Sequence, residues 1–317
     1  MVQSTAVLAL VVAVGAVGAA GACGPLPPRA PGPGGVRLPE QVLVRSKGRI
    51  VAVPFEDYTL GSILSEVVPT GESPATAARV FEVQAVVARS YAAAELGRHR
   101  SEGFDLCDST HCQLYDPARI RSSAFADVAR AAVRATAGRV LTYRGRVAET
   151  FFHADCGGFT AAADDVWGGE PIPYLVAAPD VIAPARHRAW ASTISVVDLT
   201  RALDADPQAT VGRRLDGIDV RTRDASGRAK EIGLRGDQPR VLTGDAFRAV
   251  VNRAFGDRTL DSSKFTLARD GSRYTFTGTG LGHGVGLCQL GAAARARRGD
   301  SLEAILGEYF PGMVLAR

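Results

Sequence analysis

Cys107-Asp108-Ser109-Thr110-His111-Cys112-Gln113 gathers two of the chain's five cysteines and one of its five histidines. Thiols and an imidazole this close can hold a metal ion, close a small disulfide loop, or do nucleophilic chemistry. His99, upstream at the end of a long helical pattern, offers a further donor. His99, Cys107, His111 and Cys112 would then form a closed, structural-type Zn2+ site of two thiolates and two imidazoles. Adjacent ligands at His111 and Cys112 require a non-helical loop, which Asp108-Ser109-Thr110 allows. The rival is a Cys107–Cys112 disulfide, natural in an oxidising compartment. Cys156 and Cys288 are then the other possible pair, one of three pairings open to four cysteines. Both readings stay open.

The N-terminus bears on the compartment. Residues 1–22 are apolar and small and read as a signal peptide, with Ala20-Gly21-Ala22 as the cleavage site. Cys23 directly afterwards fits a lipoprotein signal, and so a membrane contact through a lipid on that thiol. Simple secretion and a single membrane anchor are the alternatives, and all three put the rest of the chain outside the cytoplasm. Residues 23–36 are a Pro/Gly-rich tether, too rich in both to form a helix or central strand. Residues 37–317 are expected to form one large domain. Net charge is +4, with Lys47, Lys230 and Lys264 the only lysines. No basic run is interleaved with aromatics, which argues against a nucleic-acid partner.

The elements that must position these residues read as a mixed α/β chain with a central buried helix and mixed or antiparallel β-structure. Strands are predicted at Val42–Val44 and Ile50–Val53 around a Ser46-Lys47-Gly48 turn. A short helix should run from Phe55 to about Val67. Ser73 as N-cap and Pro74 at the first helical position open a long one reaching about Gly97. A third helix is expected from Ser122 or Ser123 to Thr136. Val140–Tyr143 and Val147–Phe152 should pair across Arg144-Gly145-Arg146. Short strands then alternate with turns from about Ile194 to Gly280, with helices near Leu199–Leu203 and Gly244–Ala254. Cys288–Arg298 and Leu302–Tyr309 are helical.

Several segments, in order, resemble the SpoIID/LytB-type family over nearly all of Tyr58 to Gly312. Tyr58-Thr59-Leu60 through Ser65-Glu66 is like its opening, and Val83–Ala92 is like its AQAVAARTYA helix. The Cys/His stretch is similar to its CDTTHCQ. Thr136–Tyr143, Phe152–Gly158, Val166-Trp167-Gly168 and Pro173-Tyr174-Leu175 follow. Gly280–Ala292, GLGHGVGLCQLGA, resembles its GWGHGVGMSQYGA. The resemblance implies a cell-wall enzyme, a lytic transglycosylase acting on peptidoglycan glycan strands stripped of their peptides. Other members are known as enhancers of wall amidases, so an amidase partner or a non-catalytic wall-binding role is the alternative. Some members hold zinc in the Cys/His stretch.

A lytic transglycosylase takes its nucleophile from the substrate, so one carboxyl group can serve as acid and then base. Most glycosidases need two. Glu66 matches the family's catalytic glutamate, and its apolar neighbours Val67 and Val68 should raise its pKa. The chain departs from the family here, with Val67-Val68-Pro69 where Met-Pro usually follows. Glu72, Glu82, Glu149, Asp108 and Asp155 are competing carboxylates, and Glu82 is expected to pair with Arg79. The resemblance offers Gln84, Arg89, Tyr91, Asp108, His283 and Gln289 as substrate-binding residues. Arg89 has the alternative of a structural pair with an internal carboxylate, and His283 that of bonding the backbone. A third class, a zinc amidase or thiol hydrolase on the Cys/His cluster, needs an open metal position or a reactive Cys with a His partner.

Overall fold

The computed structural model describes residues 36–181 and 187–317. The expected signal peptide, Cys23 and nearly all of the tether lie outside the described residues. Within them, no helix is long and apolar enough to cross a membrane.

Strands β1 (Gln41–Ser46) and β2 (Arg49–Pro54) pair antiparallel from Gln41↔Pro54 to Ser46↔Arg49. Lys47 and Gly48 make the turn with φ of 50° and 77°, the left-handed pair that suits a two-residue hairpin. β3 (Leu106–Cys107) joins β1 in parallel, with Arg45 opposite Cys107. The first cysteine of the Cys/His stretch therefore sits on a sheet.

Helix α1 (Phe55–Glu66) follows β2 directly and carries Glu56 and Asp57 in its first turn, where carboxylates suit the helix dipole. It ends because Val67 turns extended. Helix α2 (Pro74–Ala94) starts as expected: the Ser73 hydroxyl accepts from the Thr76 N–H, and Pro74 lies in the first turn. Both helices bury Leu60, Ile63, Leu64, Phe81, Val83, Val86 and Val87 in a single core. Each such side chain contributes roughly 1.5–3 kcal/mol by leaving water.

Two expectations are corrected. The helix predicted from Ser122 or Ser123 starts later, as α4 (Ala126–Ala135), and a separate short helix, α3 (Arg119–Ser122), precedes it. Ser123 is extended, and its hydroxyl accepts from the Phe125 N–H, so a side chain takes over a backbone partner at the break. The predicted hairpin of β4 (Val140–Tyr143) is also shorter, because its partner β5 covers only Arg146–Val147. Thr150 donates to the Val87 carbonyl and draws the following chain onto α2. β6 (Phe152–His153) then pairs in parallel with a distant strand, with Cys288 opposite His153.

After the short helix α5 (Ala163–Trp167) comes a lobe with its own core. It holds β7 (Ala189–Ser195), α6 (Val196–Asp204), β8 (Leu215–Arg223), β9 (Ala229–Gly236), β10 (Arg240–Thr243), α7 (Gly244–Phe255), β11 (Phe265–Asp270) and β12 (Arg273–Thr279). Two three-stranded antiparallel sheets, ordered β10-β9-β8 and β11-β12-β7, enclose Leu199, Ile232, Phe247, Phe265 and Phe276. β13 (Leu287–Cys288), α8 (Gln289–Arg298) and α9 (Leu302–Tyr309) return to the first core. The final strand β14 (Val314–Ala316) pairs antiparallel with β4. The fold is the mixed α/β class that the sequence suggests.

Candidate functional site

Glu66 is the last residue of α1, and its Oε1 accepts from the Leu114 N–H at 2.6 Å. The side chain is half-buried. Burial raises its pKa to about 7, and the Leu114 amide opposes that rise. A carboxyl so placed stays partly protonated at neutral pH and can give a proton to a leaving oxygen. The chain beyond Leu114 is laced to the same helix. The Asp116 N–H donates to the Ser65 hydroxyl at 3.0 Å. The Tyr115 ring stacks on Tyr58 with centroids 5.1 Å apart. Gly61 is the reason Tyr115 can lie so close: a Cβ there would stand 2.5 Å from its Cε2. Beside this junction is a surface cavity of ≈ 520 Å³ lined by Ser46, Lys47, Arg49, Val51, Tyr115 and Pro117.

Two residues before Leu114 is Cys112, so the Cys/His stretch and the carboxyl share one segment. His99, Cys107, His111 and Cys112 bring one donor atom each to within 4.8 Å of one another. Cys107 and Cys112 sulfurs are 3.2 Å apart, and His99 Nε2 is 3.5 Å from Cys112 Sγ. His111 Nδ1 is 3.8 Å from each sulfur. A tetrahedral zinc with bonds of about 2.0–2.3 Å has ligand-to-ligand edges of about 3.3–3.8 Å; the quoted nitrogen–sulfur distances match these and the two sulfurs stand somewhat closer, so the donor set suits that ion. His99 Nδ1 faces Glu102 Oε1 at 2.6 Å, which leaves Nε2 for a metal. The hydrogen bond between the two sulfurs pulls the Cys107 thiol down to about 4 and pushes that of Cys112 up.

The remaining candidates fall in different places. Arg89 is fully buried and holds Glu56 through Nε and Nη2, with Nη1 on the Arg139 carbonyl at 3.1 Å. It takes the structural alternative. Tyr91 packs edge-on to Phe151 in the core under the first sheet. Gln84 and Gln289 come together, Gln289 Nε2 lying 3.4 Å from Gln84 Oε1. Asp108 accepts from the Lys47 N–H and ties the first hairpin to the Cys/His loop. His283 Nδ1 accepts from the Val285 N–H, and burial lowers the ring's pKa to about 4, so it is neutral and engaged with backbone. Among the competing carboxylates, Glu72 pairs with Arg297 and Glu82 with Arg79. Glu149 is also raised to about 7 by burial, with Glu95 adding to the rise. The buried Asp155 accepts from His187 Nδ1 at 2.8 Å and from two backbone N–H groups. Sequence reasoning missed Leu114, Tyr115, Ser65 and Glu102. Leu114 acts through its backbone, which side-chain pattern cannot reveal, but Glu102 stands three residues from His99 and was open to view.

A half-buried carboxyl of raised pKa stands at a helix end beside a Cys/His loop on a mixed α/β scaffold. Residues 45–143, which contain all of it, match the family model described as stage II sporulation protein (SpoIID). Residues 184–286 match a domain of unknown function. The chain is 30% identical over 281 residues to stage II sporulation protein D of Bacillus amyloliquefaciens, covering 82% of this chain and 74% of that one. It is 29% identical to an uncharacterised protein of Brachyspira hyodysenteriae, across 82% of this chain and 66% of that protein. It is 27% identical to the amidase enhancer of Bacillus subtilis, across 80% of this chain but 40% of the enhancer. The chain thus spans less than two thirds of the length of these last two. The chain belongs to the SpoIID family, which groups it with sporulation- or cell-wall-related proteins.

Proposed function

We propose that this chain is a lytic transglycosylase that cleaves the bond between N-acetylmuramic acid and N-acetylglucosamine in peptide-stripped glycan strands outside the cytoplasm. The observation that carries the reading is Glu66, whose pKa burial raises to about 7 while one oxygen is held by the Leu114 amide. Glu66 gives its proton to the glycosidic oxygen as the bond to the anomeric carbon breaks. It then takes the proton of the muramic C6 hydroxyl, whose oxygen closes on the anomeric carbon as a 1,6-anhydro ring. No water and no second carboxylate are consumed. Lys47 and Arg49, at the rim of the neighbouring cavity, suit the lactyl carboxylates that peptide removal exposes. Zinc held by His99, Cys107, His111 and Cys112 would brace the Leu114 amide. Four ligands leave no open position for a zinc amidase. Lipidation of Cys23 would hold the enzyme at a membrane.

The amidase enhancer among the relatives supports a second reading, a wall-binding partner of an amidase without activity of its own. Digestion of purified, peptide-free strands followed by mass spectrometry separates the two. Anhydro-muramic ends that vanish in Glu66→Gln are the expected result. Reducing ends would mean hydrolysis, release of stem peptides would mean an amidase, and binding without cleavage would leave the partner role.

A further inference from the structure

We infer a second metal site, distinct from the Cys/His loop, in which His153, Cys156 and Cys288 hold one zinc ion where the two lobes meet. One ring nitrogen of His153 and the sulfurs of Cys156 and Cys288 lie within 4.8 Å of one another. The fold makes this meeting: Cys288 is directly opposite His153 in the parallel β6–β13 pair, and Cys156 follows three residues after His153. Asp180 Oδ2 is 3.6 Å from Cys156 Sγ and accepts from the Tyr309 hydroxyl at 2.9 Å.

Two independent observations point to a cation. His153 is 4% exposed. Its Nδ1 donates to the Val285 carbonyl at 3.2 Å, so the lone pair is on Nε2, and Nε2 has no partner. A disulfide between the cysteines would leave that atom buried and unpaired, whereas a metal takes it up. Second, both sulfurs accept backbone N–H groups: Cys156 N and Gly291 N donate to Cys288 Sγ at 3.3 and 3.4 Å, and Gly158 N to Cys156 Sγ at 3.3 Å. Donors aimed at sulfur favour thiolates, which are metal ligands. The nearby Asp155–His187 pair needs no ion, because its carboxylate is already filled by three N–H donors.

Binding releases the two thiol protons to solvent and changes no oxidation state. Two soft thiolates and an imidazole select zinc over magnesium or calcium. The test is zinc content by inductively coupled plasma mass spectrometry on the full chain. Cys156→Ser/Cys288→Ser should lose one equivalent relative to wild type, and Cys107→Ser/Cys112→Ser should retain that equivalent. Unchanged zinc in the first double variant overturns the inference, as does a Cys156–Cys288 disulfide in non-reducing peptide maps of the wild-type chain. If the serine variants do not fold, a wild-type crystal at the zinc absorption edge decides. An anomalous peak between Cys156 and Cys288 supports the site, and its absence overturns it.

Discussion

At the scale of single residues, the consequences centre on Glu66. Its folded pKa of about 7 stands above the ordinary carboxyl value of 4.5. The protonated form is therefore the one that the fold favours. Stability from this group is full below pH 4.5 and is lost as pH rises through 7. Glu66→Gln should remove that loss, so denaturant titrations should favour the variant at pH 8 over pH 5 by about 3 kcal/mol relative to wild type. The same variant should lose roughly 10²–10⁴-fold of strand cleavage, and wild-type turnover should fall as pH rises past 7. A flat pH profile would remove Glu66 from the acid's role. Glu102 offers a test of the Cys/His loop. Because it orients His99 at 2.6 Å, Glu102→Ala should weaken zinc roughly 10- to 100-fold in competition with a chromophoric chelator. A disulfide at Cys107–Cys112 would make that variant silent.

At the scale of elements, the junction of α1 with the segment after Cys112 decides whether the acid is in place. Gly61→Ala puts a methyl 2.5 Å from the Tyr115 ring. Expected is a loss of about 1–3 kcal/mol by overpacking, together with a fall in cleavage as Leu114 moves from Glu66. Thermal melts and product assays on the same sample would read both, and an unchanged melt would contradict the packing described. Much here was legible beforehand. Ser73-Pro74 marks the start of α2 because cap chemistry is local, and the four donors of the Cys/His loop were named from spacing and residue type. What was hidden depended on distant partners. β6 pairs with β13 rather than extending the hairpin, and the Leu114 amide meets a side chain 48 residues away. Arg89, legible as a helix residue, holds Glu56 from 33 residues away, a partner that only packing reveals.

At the scale of the whole molecule, the lobe that carries β7–β12 is joined to the rest by few but specific groups. Arg228 reaches across to the Cys156 and Phe159 carbonyls, and the Trp167 indole lies 3.3 Å from Asp245 Oδ2. Lys230 pairs with Asp165 on the surface. Arg228→Ala strands buried acceptors and should cost about 2 kcal/mol or more in chemical denaturation. Lys230→Ala removes only an exposed ion pair and should leave the midpoint nearly unchanged. Equal effects of the two would mean that the lobes are not held through the buried arginine. The short strands and helices between Ile194 and Gly280 were readable within the one domain expected, but their separate core was not, because apolar residues do not announce which cluster they will join.

The strand at 314–316 pairs with residues 140–142, and the core around α1 and α2 is completed by α8 and α9. A ribosome releases α1 and its carboxyl long before either arrives. The half of the molecule bearing the acid must therefore wait, unsealed, for the far end of the chain. The first core closes only when that far end arrives. A nascent chain stalled short of residue 314 would own every atom of the acid site and yet have an open sheet edge beside it.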